Sequence, residues 1–239
     1  MTPPRTNELG QPVGPAVPGW TRRALPPRTP MKGRFCTIEP LALAHADALH
    51  AANRLDAEGR NWTYLFDAPF ASAEEYRAWV AKAMKTEDPL FHAIVNADGR
   101  PVGVGAFMRI DPAHGVIEIG HLHFSRAMQR TPVATEAIYL MLRRAFDELG
   151  YRRVEWKCDS LNAPSRAAAL RFGFTYEGLF RQAIVYKGRN RDTTWYSIVD
   201  AEWPERRAAY EHWLAPSNFD AEGRQRQKLS AFMPRTQDP

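Results

Sequence analysis

The stretch VIEIGHLHFSRAMQRTPVATEA, Val116 to Ala137, joins a strand to a helix through a basic turn. Its first part, VIEIGHLHF, sets β-branched and aromatic residues around one glycine, Gly120, and predicts a strand. A short polar turn, SRAMQRT, follows, and Pro132 opens the helical run VATEAIYLMLRRAFDEL. The first backbone N–H groups of a helix lack partners, and its dipole favours negative charge there. A strand ending in a basic turn at such a terminus is a place to hold a phosphate.

Three antiparallel strands are expected before that turn. LFHAIVN and PVGVGAFMRI form a hairpin about Asp98-Gly99, and DPAHG turns the chain onto VIEIGHLHF. Further upstream, GRFCTIEPL reads as a strand ended by Pro40. LAHADALHAANRL carries Leu49, Ala52 and Leu55 at helical spacing. A loop with Trp62, Tyr64, Phe66, Pro69 and Phe70 leads to Ser72 and Glu75, a capping box for the helix AEEYRAWVAKAMK.

Downstream, the helix from Pro132 runs to Leu149 and stops at Gly150. RRVEWKCD is a strand, parallel to the central one because a helix connects them. SLNAPSRAAALRFGF is a short helix stopped at Gly173. TYEGLFRQAIVYKG and NRDTTWYSIVD make a last hairpin, and a helix runs from Trp203-Pro204 to Leu214. The order predicts an α+β domain on one mixed, mostly antiparallel twisted sheet. Two parallel central strands splay apart, with helices on both faces. The expected divisions are a Pro-rich arm over residues 1–30, a domain over 31–200 and a helix with tail over 201–239. The arm reads as extended or disordered, with Trp20 the one sign of docking. Residues 215–239 read as surface or disordered.

The chain has 239 residues, 44% hydrophobic and 25% charged, as in a globular protein. No apolar run approaches the ~20 residues that span a bilayer, and no secretory signal opens the chain. Cys36 and Cys158 lie in apolar runs and read as buried reduced thiols of a cytoplasmic protein. No residues have metal-site spacing. A net charge of +5 suits an anionic ligand, and the cluster KGRNRD lacks the aromatic platform of a nucleic-acid surface, so it reads as a solvated turn.

Over about residues 33–200 the order of elements and three motifs resemble the GNAT N-acetyltransferase superfamily, and within it the branch of the ribosomal-protein-alanine N-acetyltransferases. Gln129-Arg130-Thr131-Pro132-Val133-Ala134 matches the acetyl-CoA loop, and Thr135-Glu136-Ala137 its usual continuation. Asn162-x-x-Ser165 with Gly173-Phe174 matches a second motif, and Glu118-Ile119-Gly120 a third. Two positions depart from the pattern. Pro132 replaces the first loop glycine and supplies no N–H, and Ala169 stands where many members carry a tyrosine that protonates the departing thiolate.

The resemblance implies acetyl-CoA as cosubstrate and direct acetyl transfer to a primary amine. That amine belongs to a protein N-terminus or a small molecule, with no nucleic-acid or membrane partner; a homodimer is left open. It implies cofactor contacts from the amides around His123, Phe124 and Ser125, with Gly120 permitting a bulge. It implies further contacts from Gln129, Arg130, Thr131, Val133, Ala134, Thr135, Asn162 and Ser165. The N–H groups of Arg130, Thr131, Val133 and Ala134 are expected to be free. Glu118 is the first choice of general base, against a reading as a carboxylate paired with an arginine. His121 and His123, expected on the opposite face of the strand, are further bases or packing residues. Ser165 is the candidate proton donor to the thiolate. A non-catalytic acyl-CoA-binding or regulatory module on the same fold is the alternative.

Overall fold

A computed structural model describes residues 5–234. Strands β1 (Arg5–Thr6) and β2 (Pro12–Val13) form a small separate hairpin. The main sheet uses β3 (Met31–Lys32), β4 (Cys36–Pro40), β5 (Leu90–Asn96), β6 (Pro101–Asp111) and β7 (Val116–Phe124). It continues with β8 (Arg153–Asp159), β9 (Thr175–Tyr186) and β10 (Arg189–Val199). Its order is β3-β4-β5-β6-β7-β8-β10-β9, and β7–β8 is the parallel pair.

Helices α1 (Ala46–Asn53) and α2 (Ala73–Ala83) cover one face, packing Leu49, Tyr76 and Val80 on Phe91, Val104 and Ala106. On the other face lie α3 (Pro132–Arg143), α4 (Ala163–Arg171) and α5 (Trp203–Leu214). There Ile138, Leu142, Phe172 and Tyr210 pack on Ile117, Ile119, Val154 and Trp156. The expected mixed α+β sheet with splayed parallel strands and helices on both faces is present.

Each strand's burial follows its neighbours. Residues 90–95 are buried without alternation because helices cover both faces of β5. β9, at the sheet edge, leaves Leu179, Phe180 and Val185 exposed.

The parallel pairing is short. Val116, Ile117 and Glu118 pair with Arg153, Val154 and Glu155, and the strands then part. β8 keeps pairing with β10 as far as Asp159 and β7 with β6 as far as Phe124, so each strand follows its other neighbour. A bulge drives this departure. Ala106 faces Gly120 and Val104 faces His123, so His121 and Leu122 together oppose Gly105. His121 takes the left-handed conformation, φ 48°.

The bulge was expected at Gly120, and it sits one residue later. Gly120 is small for another reason, since a Cβ there would press on the Met108 sulfur and Glu118 Oε1. The extra residue also shifts the alternation. Ile119 and Leu122 both pack toward α3, while His121 and His123 turn toward the aromatic rings of the α1–α2 face. The two histidines therefore share the face of Glu118, contrary to simple alternation.

Both terminal segments are more ordered than their composition suggests. Trp20 docks as expected, its Nε1 donating to the Ala113 carbonyl at 2.9 Å. The arm beyond it is held too. Arg23 N donates to Pro112 O, Arg28 Nη1 to Met84 O, Tyr151 Oη to Ala24 O, and the buried Arg144 Nη1 to Thr29 O. Proline-rich backbone has few partners of its own, so side chains from the domain satisfy its carbonyls. At the other end Phe219 and Leu229 are buried in the main core. The buried Asn218 amide donates to the Trp213 carbonyl at 2.9 Å and the Gln227 carbonyl at 3.2 Å. Most of 215–234 lies on the surface, as expected, and Asn218, Phe219 and Leu229 are the buried anchors that hold it there.

Candidate active site

The α3 N-terminus is assembled as a cradle. Met128 N and Gln129 N donate to Ser125 O, and Thr131 N donates to Met128 O at 3.3 Å. Arg130 takes φ 62° to make this turn. Thr131 is the N-cap and Pro132 has no N–H, so the free amides of the first turn are those of Val133 and Ala134. The Thr131 amide, expected to be free, is spent inside the turn.

Other predicted cofactor contacts are likewise engaged. Gln129 Nε2 donates to Phe124 O at 2.8 Å and Asn61 Oδ1 at 3.1 Å, tying turn to strand. Thr135 is fully buried, with Oγ1 accepting from Arg171 Nη2 at 2.8 Å. Ser125 is fully buried, and its N–H donates to Val102 O. Glu136 turns away from the cradle and accepts from the amides of Arg34, Phe35 and Cys36 at 2.8, 2.5 and 2.8 Å.

Asn162 caps α4, its Oδ1 accepting from Ser165 N at 3.1 Å. Ser165 Oγ accepts from Trp156 Nε1 at 3.0 Å, and its hydroxyl also meets the Cys158 thiol.

Glu118 is buried and ion-paired. Arg109 Nη1 lies 2.8 Å from both of its carboxylate oxygens, and Lys157 Nζ lies 3.1 Å from Oε2. Lys157 also contacts Glu155 at 2.6 Å and sits 3.8 Å above the Trp195 ring. Arg153 extends the chain of charges to Glu177. Burial pushes the Glu118 carboxyl above its ordinary range, while Lys157 and Arg109 draw it back down. Of the two readings of Glu118, the arginine-paired carboxylate is present, with Lys157 as a second cation.

His121 is half-buried at the bulge, stacked on Trp79 and edge-on to Phe91 at 4.8 Å. Asp67 Oδ2 stands 3.6 Å from its Nε2, close enough to interact as a charge but long for a hydrogen bond. Burial lowers the imidazole below its usual value, and Asp67 opposes this. His123 packs 4.1 Å from Trp62, and burial holds it down to about 4. His123 is thus a packing residue, neutral at ordinary pH.

The loop that carries Asp67 is clamped by the β9–β10 turn. Lys187 Nζ donates to Trp62 O and Asp67 O, both at 2.7 Å, and Arg189 Nη2 to Thr63 O. The cluster read as a solvated turn is a clasp. Trp62 is core, whereas Tyr64 and Phe66 face the cleft.

Where β7 and β8 part, a cavity of about 1420 Å³ opens. It is lined by Gln129, Arg130, Pro132, Ala134, Asn162 and Ser165. Phe66, Arg109, Glu118, His121, Lys157 and Arg191 line it too. Trp213, Phe219, Arg224 and Lys228, from the segment read as a tail, also line it. Val133, Thr135 and Ser125 do not line it. Sequence reading missed Arg109, Lys157, Asp67 and the C-terminal wall, which only pairing and tertiary packing bring to the site.

This arrangement is that of an acyltransferase fold, and the chain belongs to the GNAT acetyltransferase family: the model described as "Acetyltransferase (GNAT) domain" matches residues 36–175. A GCN5-related N-acetyltransferase from Brucella melitensis is 48% identical over 90% of this chain and 99% of its own, with a TM-score of 0.88. The Bacillus subtilis protein named "Putative ribosomal N-acetyltransferase YdaF" is 26% identical over 59% of this chain and 78% of its own. The microcin C7 self immunity acetyltransferase MccE, solved with acetyl-CoA and AMP, is 26% identical over 70% of this chain and 93% of its own, at TM-score 0.62. Among the described residues, no helix is long and apolar enough to cross a membrane.

Proposed function

We propose that this protein is an acetyl-CoA-dependent N-acetyltransferase that moves the acetyl group directly to a primary amine in the cytoplasm. One observation carries the reading: the α3 N-terminus, with Thr131, Pro132 and the free amide of Ala134 on the wall, opens on the cavity that begins where β7 and β8 part. The donors suit a diphosphate, and Arg130 and Lys228 line the same cavity without an acidic partner among the described residues. The cosubstrate supplies an activated acetyl thioester; the chain supplies position and proton transfer.

His121 takes the proton from the attacking amine, because a neutral imidazole at the bulge is free to accept it. Asp67 then steadies the imidazolium. Glu118 stays charged between Arg109 and Lys157 and draws the ammonium form of the acceptor inward. Ser165, oriented by Trp156, gives its proton to the departing sulfur. Neither cysteine takes part: Cys36 is buried behind α3, and burial raises both thiols above their usual range.

Calorimetry with coenzyme A, paired with thiol release from acetyl-CoA across a panel of amines, tests the reading. Binding together with amine-dependent thiol release is expected. Binding without turnover on any amine would leave a non-catalytic acyl-CoA module, and no binding at millimolar coenzyme A would remove the proposal.

A further inference from the structure

Arg191 is a cation without a counter-ion. It is buried in the cavity wall on β10, and its Nε donates to Thr193 Oγ1 at 3.1 Å. Its guanidinium carbon sits 5.6 Å from the Phe66 ring centre and 5.8 Å from that of Tyr186. Among the described residues its terminal nitrogens have no hydrogen-bond acceptor in the chain, and no carboxylate forms an ion pair with it. Asp159 makes no ion pair with Arg191; its Oδ2 accepts from Tyr186 Oη at 2.7 Å and its Oδ1 from Leu161 N at 2.9 Å. The terminal nitrogens are left to the cavity, where a ligand anion could take up their donors.

The charge of that anion follows from the neighbours. Lys187 and Arg189 are on the same turn but spend their donors on backbone carbonyls of the Trp62–Asp67 loop. One planar fork remains, which matches a singly charged, planar group. The same cavity is lined by Glu118 and by His121, which has Asp67 3.6 Å behind its Nε2.

We propose that the acceptor carries a carboxylate besides its amine, and that Arg191 binds this carboxylate while the amine lies toward His121. The inference rests on the N-acetyltransferase reading and narrows its acceptor to small amino-carboxylates. A peptide N-terminus, whose carboxylate lies far from its amine, is the poorer fit.

The full chain is titrated calorimetrically, with and without coenzyme A, using glycine, β-alanine, γ-aminobutyrate and lysine against their carboxamides. At least one acid is expected to bind about tenfold more tightly than its amide, and its KM in thiol release to be lower by a similar factor. In Arg191→Met this preference is lost while coenzyme A affinity is kept; Arg191→Lys retains part of it. Ethanolamine phosphate is the competing probe, and tighter binding of it than of every acid overturns the carboxylate assignment. Equal binding of acids and amides by wild-type protein that still binds coenzyme A and acetylates both overturns the inference, and needs no variant to fold. Absence of coenzyme A binding instead strikes the N-acetyltransferase reading, and the acid-over-amide comparison stays measurable by calorimetry.

Discussion

Lys157 Nζ lies 3.1 Å from Glu118 Oε2 and 2.6 Å from Glu155 Oε2, so one buried ammonium is shared by carboxylates on two parallel strands. It bridges the strands at the last rung before they part. The sharing ties both Glu118 oxygens to cations and opposes the rise that burial gives its carboxyl. Glu118→Gln leaves Lys157 paired with Glu155 and Arg109 near solvent, so the variant is expected to fold. Acceptor KM should rise about tenfold, equivalent to ~1.4 kcal/mol, with the pH profile of kcat unchanged in shape. Loss of the acid limb in this variant would transfer the base role to Glu118.

His121 predicts that limb. Burial holds its imidazole below the usual value, so the base stays neutral until the pH falls under about 6.5. With acceptor saturating, kcat should fall on the acid side with one proton taken up. His121→Asn should lower kcat by about 100-fold and flatten the limb. Asp67→Asn should shift the limb to still lower pH, because the carboxylate opposes the downward shift.

Ser165 is set by an indole, and this separates its role from helix capping. Trp156 Nε1 occupies one lone pair of the hydroxyl, whereas the cap is made by Asn162 Oδ1 and the serine's backbone N–H. Ser165→Ala keeps the cap. Turnover should drop about tenfold or more with coenzyme A affinity within twofold of wild type. Wild-type turnover in this variant would remove the proton-donor role.

The parts of the site that could be read in advance are local ones. The cradle follows from residues adjacent in sequence: a strand, a basic turn and Pro132 at the first helical position. Asn162 with Ser165 is local for the same reason. The ion ladder was not legible, because it depends on the register that sets Met108 opposite Glu118 and on the parallel pairing of Glu118 with Glu155. The bulge at His121 defeats alternation, and only Gly120 hints at it. The C-terminal wall was hidden by composition: Phe219 and Leu229 are isolated apolar residues in polar sequence, yet both are core. Glu136 shows the opposite failure. It lies inside the cofactor motif and serves the fold.

Glu136 predicts a stability effect without a local catalytic one. Its buried carboxylate satisfies three amides of the turn before β4, and a Cβ on Gly33 would collide with it. Glu136→Ala strands those donors and should cost about 3–5 kcal/mol by urea unfolding. Gly33→Ala should also destabilise wild type, and should add little in the Glu136→Ala background, since the clash is gone. Additive costs in that double mutant would contradict the contact.

Stability should also fall on mild acidification, because two histidines are buried neutral. Burial holds both His92 and His123 down to about 4. The unfolded chain protonates its histidines at about 6.5, so between these values it binds more protons than the native state. The sign follows: the stability is present above about 6.5 and is lost as pH falls toward 4, by up to about 3 kcal/mol for each histidine. The His92 ring is fully buried and edge-on to Phe107. His92→Phe fills similar space without a titrating group, so its urea midpoint should fall less than that of wild type between neutral pH and about pH 5. An equal fall in the two proteins would mean that His92 is not held neutral by the fold.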